Sequence, residues 1–388
     1  MTGAEPHPED DGNKPEGPLR YGWTTGACAA AAAKAAFEAL LTGTFPDPVT
    51  ITLPRGEQPA FALAVHALDG DAAMAGIVKD AGDDPDVTHG ALVRTHISRG
   101  PAGSGIEFRA GDGVGTVTLP GLPVPPGEPA INPGPRDMIR DALAEVARRA
   151  GTPLDLIVEI SIPGGAEIAL KTLNPRLGIV GGLSVLGTTG IVVPYSCAAW
   201  IQSIHRGIDV ARAAGLAHVA GATGNTSEAA VAAHHDLPSA ALIDMGDFVG
   251  GMLKYLRKHP IDRVTVAGGV AKMTKLAQGF LDLHSRRGRV DMKALAETAE
   301  ACGADNALTA QIAQANTTAH AFSLAAEASI DLGNAIAAAG RVTAARVVED
   351  APIDVEVLLF DRKGQLVGSA PFAHDPPTPS ADGRNRRS

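Results

Sequence analysis

At 388 residues the chain is long enough for two domains and needs no disulfide staples, because a protein of this size buries roughly 75% of the surface its unfolded form exposes. Its 43 acidic against 33 basic residues give a net charge of −10, which argues against a nucleic-acid backbone as partner, and an aromatic content of 4% removes the stacking platforms that single strands use. No apolar run reaches the roughly 18 to 20 unbroken residues of a membrane span, so a cytoplasmic protein without a membrane partner is expected.

Residues 1–18 are rich in Pro, Glu, Asp and Gly, without the apolar core of a signal peptide, and read as a disordered leader. Thr24 or Thr25 can cap a helix over residues 26–41, with Ala33, Phe37, Leu40 and Leu41 on one face. Short β-like runs follow at 49–53, 61–68, 91–97, 105–108 and 114–119, separated by Pro, Gly and Asp clusters. Pro135 suits the first turn of a helix reaching Ala150, and 156–160 is another strand. Residues 19–177 therefore predict an α+β domain with a mixed sheet.

From Gly178 the rhythm changes to buried strands alternating with helices. Strands are expected at 191–193, 218–220, 240–243 and 263–267, and helices at 198–214, 227–235, 248–258 and 272–284. Such alternation implies right-handed crossovers, hence a Rossmann-like, doubly wound parallel sheet over 178–372, with ligands at the carboxyl ends of its strands. Residues 292–336 form its helical cap, 355–360 is a late strand whose sheet the sequence does not assign, and 373–388 reads as a disordered tail. Cys28, Cys197 and Cys302, odd in number and far apart, read as small buried hydrophobes in a reducing compartment.

Four segments carry candidate chemistry. Between two apolar runs, Gly187-Thr-Thr-Gly190 with Ser184 upstream offers bare backbone N–H groups and the hydroxyls of Ser184, Thr188 and Thr189 to an anion or ribose; an ordinary tight turn is the alternative. Gly221-Ala-Thr-Gly-Asn-Thr-Ser-Glu228 has the layout of a nucleotide-cradling strand-to-helix turn, with Thr223, Gly224, Asn225 and Thr226 at its tip and Asp244 or Asp247 near the distance for reading a ribose. It lacks the G-x-G-x-x-G spacing, and a plain capped turn is its alternative. In Ala267-Gly-Gly-Val-Ala-Lys-Met-Thr-Lys275, Lys272 and Lys275 stand one helical turn apart, either receiving carboxylates or forming a solvated basic face. Asp80-Ala-Gly-Asp-Asp-Pro-Asp86 crowds four carboxylates into seven residues, which suits an acid/base group, a cation site or simply a turn. No metal site is expected, because H-x-x-x-H and C-x-x-C are absent and the adjacent His234 and His235 leave a helix in different directions.

Taken together, the chain from Arg20 to about Ala373 resembles the cobalt-precorrin-5B C1-methyltransferase family of anaerobic corrin-ring biosynthesis. The resemblance rests on six ordered blocks: Tyr21-Gly-Trp-Thr-Thr-Gly-Ala-Cys, Lys79-Asp-Ala-Gly-Asp-Asp-Pro-Asp86, Gly113-Val-Gly-Thr-Val-Thr with Glu128-Pro-Ala-Ile-Asn-Pro133 and Pro135-Arg136, Lys171-Thr-Leu-Asn-Pro-Arg-Leu-Gly178, Gly181-Gly-Leu-Ser-Val-Leu-Gly-Thr-Thr-Gly190, and Gly246-Asp-Phe-Val-Gly250. One departure is visible, since Gly269 and Ala271 stand where the family's His-x-Gly-Lys turn would place His and Gly.

The resemblance implies S-adenosylmethionine as methyl donor and a polycarboxylate tetrapyrrole as acceptor, methylated at C1 to give cobalt-precorrin-6A, with cobalt entering only as part of the substrate. It further implies that Ser184, Gly187, Thr188, Thr189, Gly190, Thr223, Gly224, Asn225, Thr226 and Asp247 hold the donor, in turns of the second domain. Lys79, Arg136, Arg176, Lys272 and Lys275 would pair with the acceptor's carboxylates, and Asp83 or Asp86 would accept or shuttle a proton. A monomer and a homo-oligomer both remain open. The rival readings are an NAD(P)-linked oxidoreductase acting on a tetrapyrrole and a non-catalytic tetrapyrrole carrier.

Overall fold

The computed structural model describes residues 17–373; the expected leader and tail, but for their innermost residues, lie outside the described residues. Contacts divide the chain into two compact units between Ala214 and Gly215. This division falls later than the change of rhythm at Gly178, because the strand expected near 191 does not join the parallel sheet but pairs antiparallel with Gly22–Trp23.

The first unit runs β1 (Gly22–Trp23), α1 (Thr25–Thr42), β2 (Val49–Thr50), β3 (Ala60–Phe61), β4 (Val65–Asp69), β5 (Ala72–Val78), β6 (Leu92–Arg99), β7 (Ile106–Ala110), β8 (Thr116–Val117), α2 (Pro133–Ala150), β9 (Leu156–Ser161), α3 (Gly165–Ala169), β10 (Ile179–Val180), β11 (Ile191–Val192) and α4 (Cys197–Ala213). Its main sheet has the order β4-β5-β6-β9-β7, antiparallel except for the β7–β9 pair, which is the expected mixed sheet.

The oxygen of Thr24 caps α1 by accepting from the N–H of Ala27 at 3.2 Å. The alanine run of α1 is buried nearly all round, because the helix lies between α2 and strands β5 and β6. Methyl-sized side chains let the backbones approach closely enough for the Thr95 hydroxyl of β6 to donate to the Ala29 carbonyl at 3.0 Å. The strand β5, Ala-Ala-Met-Ala-Gly-Ile-Val, was not expected. Its small residues carry little β-propensity and are placed by α1 above them, with Ala73, Ala75 and Ile77 in the core.

The second unit runs β12 (His218–Ala222), α5 (Asn225–His235), β13 (Leu242–Asp244), α6 (Val249–Lys258), β14 (Arg263–Gly269), α7 (Val270–Ala277), α8 (Met292–Ala301), α9 (Asn306–Ala313), α10 (Thr318–Glu327), α11 (Leu332–Val347), β15 (Asp354–Phe360) and β16 (Leu366–Ala370). The sheet order is β13-β12-β14-β15-β16. The first four strands are parallel and β16 is antiparallel, so the expected all-parallel sheet is corrected to a mixed one with an antiparallel edge. The unassigned late strand is β15, paired along its whole length with β14. Helix α5 covers the face carrying Ala220, Ala267, Leu358 and Phe360. Gly340 of α11 and Leu276 of α7 meet on the other face, beside Val357.

Cys28 is buried as expected, but Cys197 is exposed and Cys302 partly so. No helix among the described residues is long and apolar enough to cross a membrane.

Candidate functional site

In the first unit the acidic loop between β5 and β6 is held by its own carboxylates. Lys79, 2% exposed, donates to Asp86 at 2.5 Å, and Asp86 also accepts from the Thr88 N–H and hydroxyl at 2.7 and 2.6 Å. Burial opposes ionisation of Asp86, but the Lys79 charge and these donors outweigh it and hold its carboxyl below the ordinary value. Asp83 accepts the Arg20 N–H at 2.6 Å, and Asp80 is paired with the Arg20 guanidinium and brought down to about 2.

Asp84 behaves differently. It accepts the Tyr195 N–H at 2.8 Å, where that residue is held at a φ of 56°, yet burial and the nearby Asp86 charge raise its pKa. It thus takes up a proton more readily than an ordinary carboxylate, and nothing in the sequence separates it from its three neighbours.

The Gly187–Gly190 turn sits on the first unit rather than in a second-domain pocket, across the N-terminal turns of α1 and α2. Gly26 donates to the Leu186 carbonyl at 3.0 Å, Thr24 donates to the Gly190 carbonyl at 3.0 Å, and the Thr25 hydroxyl accepts from Leu186 N–H at 3.0 Å. Gly134 faces the Gly187 carbonyl across 3.2 Å from its missing Cβ. At Gly187, with φ of 117°, a Cβ would lie 2.4 Å from Thr24, so close packing is what demands this glycine. Thr189 bonds locally to Ile191, Thr188 is exposed, and the buried Ser184 donates to Asn174 at 3.4 Å. Arg136 is engaged by the Ile131 carbonyl at 2.8 Å, by Glu128 at 2.7 Å and by the ring of Phe108; Arg176 is half-buried.

In the second unit three of the expected residues, Thr223, Asp247 and Lys272, come together. Strands β12 and β14 are neighbours, but the chain leaves β12 towards α5 on one face and β14 towards α7 on the other, so a crevice opens between their carboxyl ends. Thr223 N–H donates to the Ala267 carbonyl at 3.0 Å, and a Cβ on Gly268 would strike the Thr223 side chain. Gly224 begins α5 and accepts from the Ser227 hydroxyl at 2.9 Å, leaving Asn225 and Thr226 exposed on the first turn. Lys272 donates to the Thr223 carbonyl at 3.0 Å and lies 3.4 Å from Oδ1 of Asp247.

That oxygen is buried, and the ion pair's geometry gives it no hydrogen bond. A buried carboxylate oxygen left short of a donor fits a hydroxyl-bearing ligand. Lys275 turns elsewhere: its buried ammonium donates to the Leu283 carbonyl at 2.7 Å and does not join Lys272. A Cβ at Gly269 would meet nothing within 4 Å, so the departure at this position leaves open space at the start of α7.

A relative from Halorhodospira halophila named Cobalt-precorrin-5B C(1)-methyltransferase is 63% identical over 357 residues, spanning 92% of this chain and 96% of the relative. The family model described as CbiD matches residues 12–194, and that described as CbiD, C-terminal domain, matches 282–371. The chain belongs to the CbiD family. A second relative of the same name, from Agrobacterium fabrum, is 60% identical over 95% of this chain and 98% of its own length. A crystal structure of the cobalamin biosynthesis protein CbiD from Archaeoglobus fulgidus is 27% identical, covering 66% of this chain and 78% of that one, with a TM-score of 0.37. The family resemblance read from the six sequence blocks is borne out. In this CbiD chain the crevice residues Thr223, Asp247, Gly268 and Lys272 fall between the two matched segments.

Proposed function

We propose that this chain is the methyltransferase that transfers a methyl group from S-adenosylmethionine to C1 of cobalt-precorrin-5B, giving cobalt-precorrin-6A. The observation that carries the reading is the extent of the likeness: relatives bearing that enzyme's name match at about 60% identity across nearly their whole length. The donor supplies a sulfonium methyl whose C–S electron pair stays with sulfur, while the macrocycle supplies the pair that forms the new C–C bond.

We read the second unit as a doubly wound fold of Rossmann type, supported by strand order 2-1-3-4-5 with its reversal between β12 and β14. Its crevice is the donor site in this reading. The first-turn N–H groups of α5 at Asn225 and Thr226, with Lys272, favour a carboxylate, and Asp247 accepts from ribose hydroxyls. On the first unit, Arg176 and Arg136 serve the acceptor's carboxylates, Arg136 by trading Glu128 for them, while Lys79 stays with Asp86. Asp84 takes the proton-handling role in this reading, because burial and the Asp86 charge raise its carboxyl while Lys79 holds Asp86 ionised. Alignment supplies the larger share of catalysis, roughly 7 to 11 kcal/mol where reacting groups are held in place.

The test is incubation of the purified chain with cobalt-precorrin-5B and S-adenosylmethionine. A mass gain of one methyl group on the macrocycle, dependent on both protein and donor, is expected. A chain that binds the macrocycle but leaves its mass unchanged would be a carrier instead.

A further inference from the structure

The sheet of the second unit carries a second polar cluster, at the end of its parallel strands opposite the crevice. His218, Arg263 and Asp354 open strands β12, β14 and β15 in register, and Thr265 and Glu356 follow two residues inward on the last two. Helix α5 runs back along this face and brings its last two residues, His234 and His235, to the same edge. Glu356 is 4% exposed, which is rare for a carboxylate without strong partners. It accepts from the Thr265 hydroxyl at 2.7 Å and lies 2.5 Å from Nε2 of His235. Thr265 in turn meets Nε2 of His218 at 2.8 Å.

Two neighbouring residues within a helix normally point about 100° apart. Here the helix ends at His235, since Asp236 takes a φ of 51° and closes it, and the two imidazoles stand with ring centres 4.6 Å apart at 88°. One ligand atom each from His234, His235 and Glu356 lies within 4.8 Å of the others.

We propose that His234, His235 and Glu356 form a binding site for a divalent first-row transition metal of the Zn2+ class, which fastens the last turn of α5 to β15. Two imidazoles and one carboxylate are a donor set zinc accepts, with water in the fourth place. Ligand atoms around a tetrahedral ion stand ~3.3 Å apart for bonds of about 2.0 Å, so loading opens the His235–Glu356 contact slightly and draws in His234. The chain from Glu356 through Thr265 to His218 fixes the carboxylate from behind, as outer partners of metal ligands do. The exposed His234 leaves the ion a route from solvent. The site is separate from the crevice, and its proof or failure leaves the methyl-transfer reading untouched.

The experiment is titration of the chelator-treated full chain with Zn2+ alone by calorimetry, alongside His234→Ala, whose exposed position keeps the fold intact, and Thr265→Val. One equivalent binding to the unsubstituted chain, more than about 100-fold weaker binding to His234→Ala and an intermediate loss of about tenfold in Thr265→Val are expected. Zn2+ should also raise the melting temperature of the unsubstituted chain and not that of His234→Ala. Absence of stoichiometric binding by the unsubstituted chain, or equal binding by His234→Ala, overturns the proposal.

Discussion

The ammonium of Lys272 donates to the backbone carbonyl of Thr223 at 3.0 Å while standing 3.4 Å from the buried carboxylate of Asp247. One side chain thus links the ends of β12 and β14 and neutralises the charge that the loop after β13 brings into the crevice. Breaking a largely buried pair from one side leaves the other charge uncompensated. Lys272→Met should therefore cost about 3 kcal/mol of stability, and adding Asp247→Asn should recover part of it. Denaturant titration of the two single variants and the double variant checks this, and strictly additive losses would show that the pair does not act as a unit.

Asp84 and Asp86 should respond oppositely to loss of charge. The raised pKa of Asp84 means that the folded chain binds its proton more readily than the unfolded one does, so ionised Asp84 costs stability above its folded pKa. The cost disappears as pH falls towards the unfolded value. Asp84→Asn keeps an oxygen for the Tyr195 N–H and should leave stability at pH 7 unchanged or slightly higher.

Asp86 has a lowered pKa, so its contribution is full above the unfolded value near 4 and is lost as pH falls through the folded one. Asp86→Asn strips the buried Lys79 of its counter-charge and should cost about 3 kcal/mol at pH 7. Urea melts at pH 7 and pH 3 read both signs, and destabilisation by Asp84→Asn equal to that by Asp86→Asn at pH 7 would contradict the assignment.

Much of the fold was legible because helix caps and strand-to-helix turns are local signals. Thr24 and the alternation after His218 place their elements without tertiary information. The strand β5 was not legible, since Ala75 and Gly76 are strand residues only because α1 and the strands beside them leave room for nothing larger. The crevice was half legible: Thr223, Asp247 and Lys272 lie in separate turns, each weak alone, and only the β12–β14 pairing unites them. In the Gly187–Gly190 turn the two glycines are packed closely, Gly187 on Thr24 and Gly190 on Leu53, a demand that sequence alone cannot tell from ligand access. Glu356 lies 121 residues from His235, so their meeting is a property of the sheet alone.

Two glycines with positive φ separate conformation from packing. At Gly181, with φ of 85°, a Cβ would meet nothing within 4 Å, and Gly181→Ala should cost only the left-handed backbone term, about 1 to 2 kcal/mol. At Gly187 the added Cβ collides with Thr24 at the cap of α1, and Gly187→Ala should cost at least about 3 kcal/mol. Equal losses in chemical denaturation would mean that the turn yields without disturbing the helix cap.

The three cysteines should differ sharply towards alkylation. Burial pushes the Cys28 thiol up to about 12, so at pH 8 only about one part in 10,000 is thiolate, and α1 screens even that fraction from reagent. Cys197, exposed at the start of α4, should be modified by iodoacetamide first, followed by Cys302, whose pKa burial and Asp331 raise. Mass spectrometry of the native chain should thus show label on Cys197 and Cys302, with Cys28 labelled only in denaturant. Modification of Cys28 in the folded chain at the rate of Cys197 would mean that α1 opens on the timescale of labelling, which its enclosure between α2 and the sheet forbids.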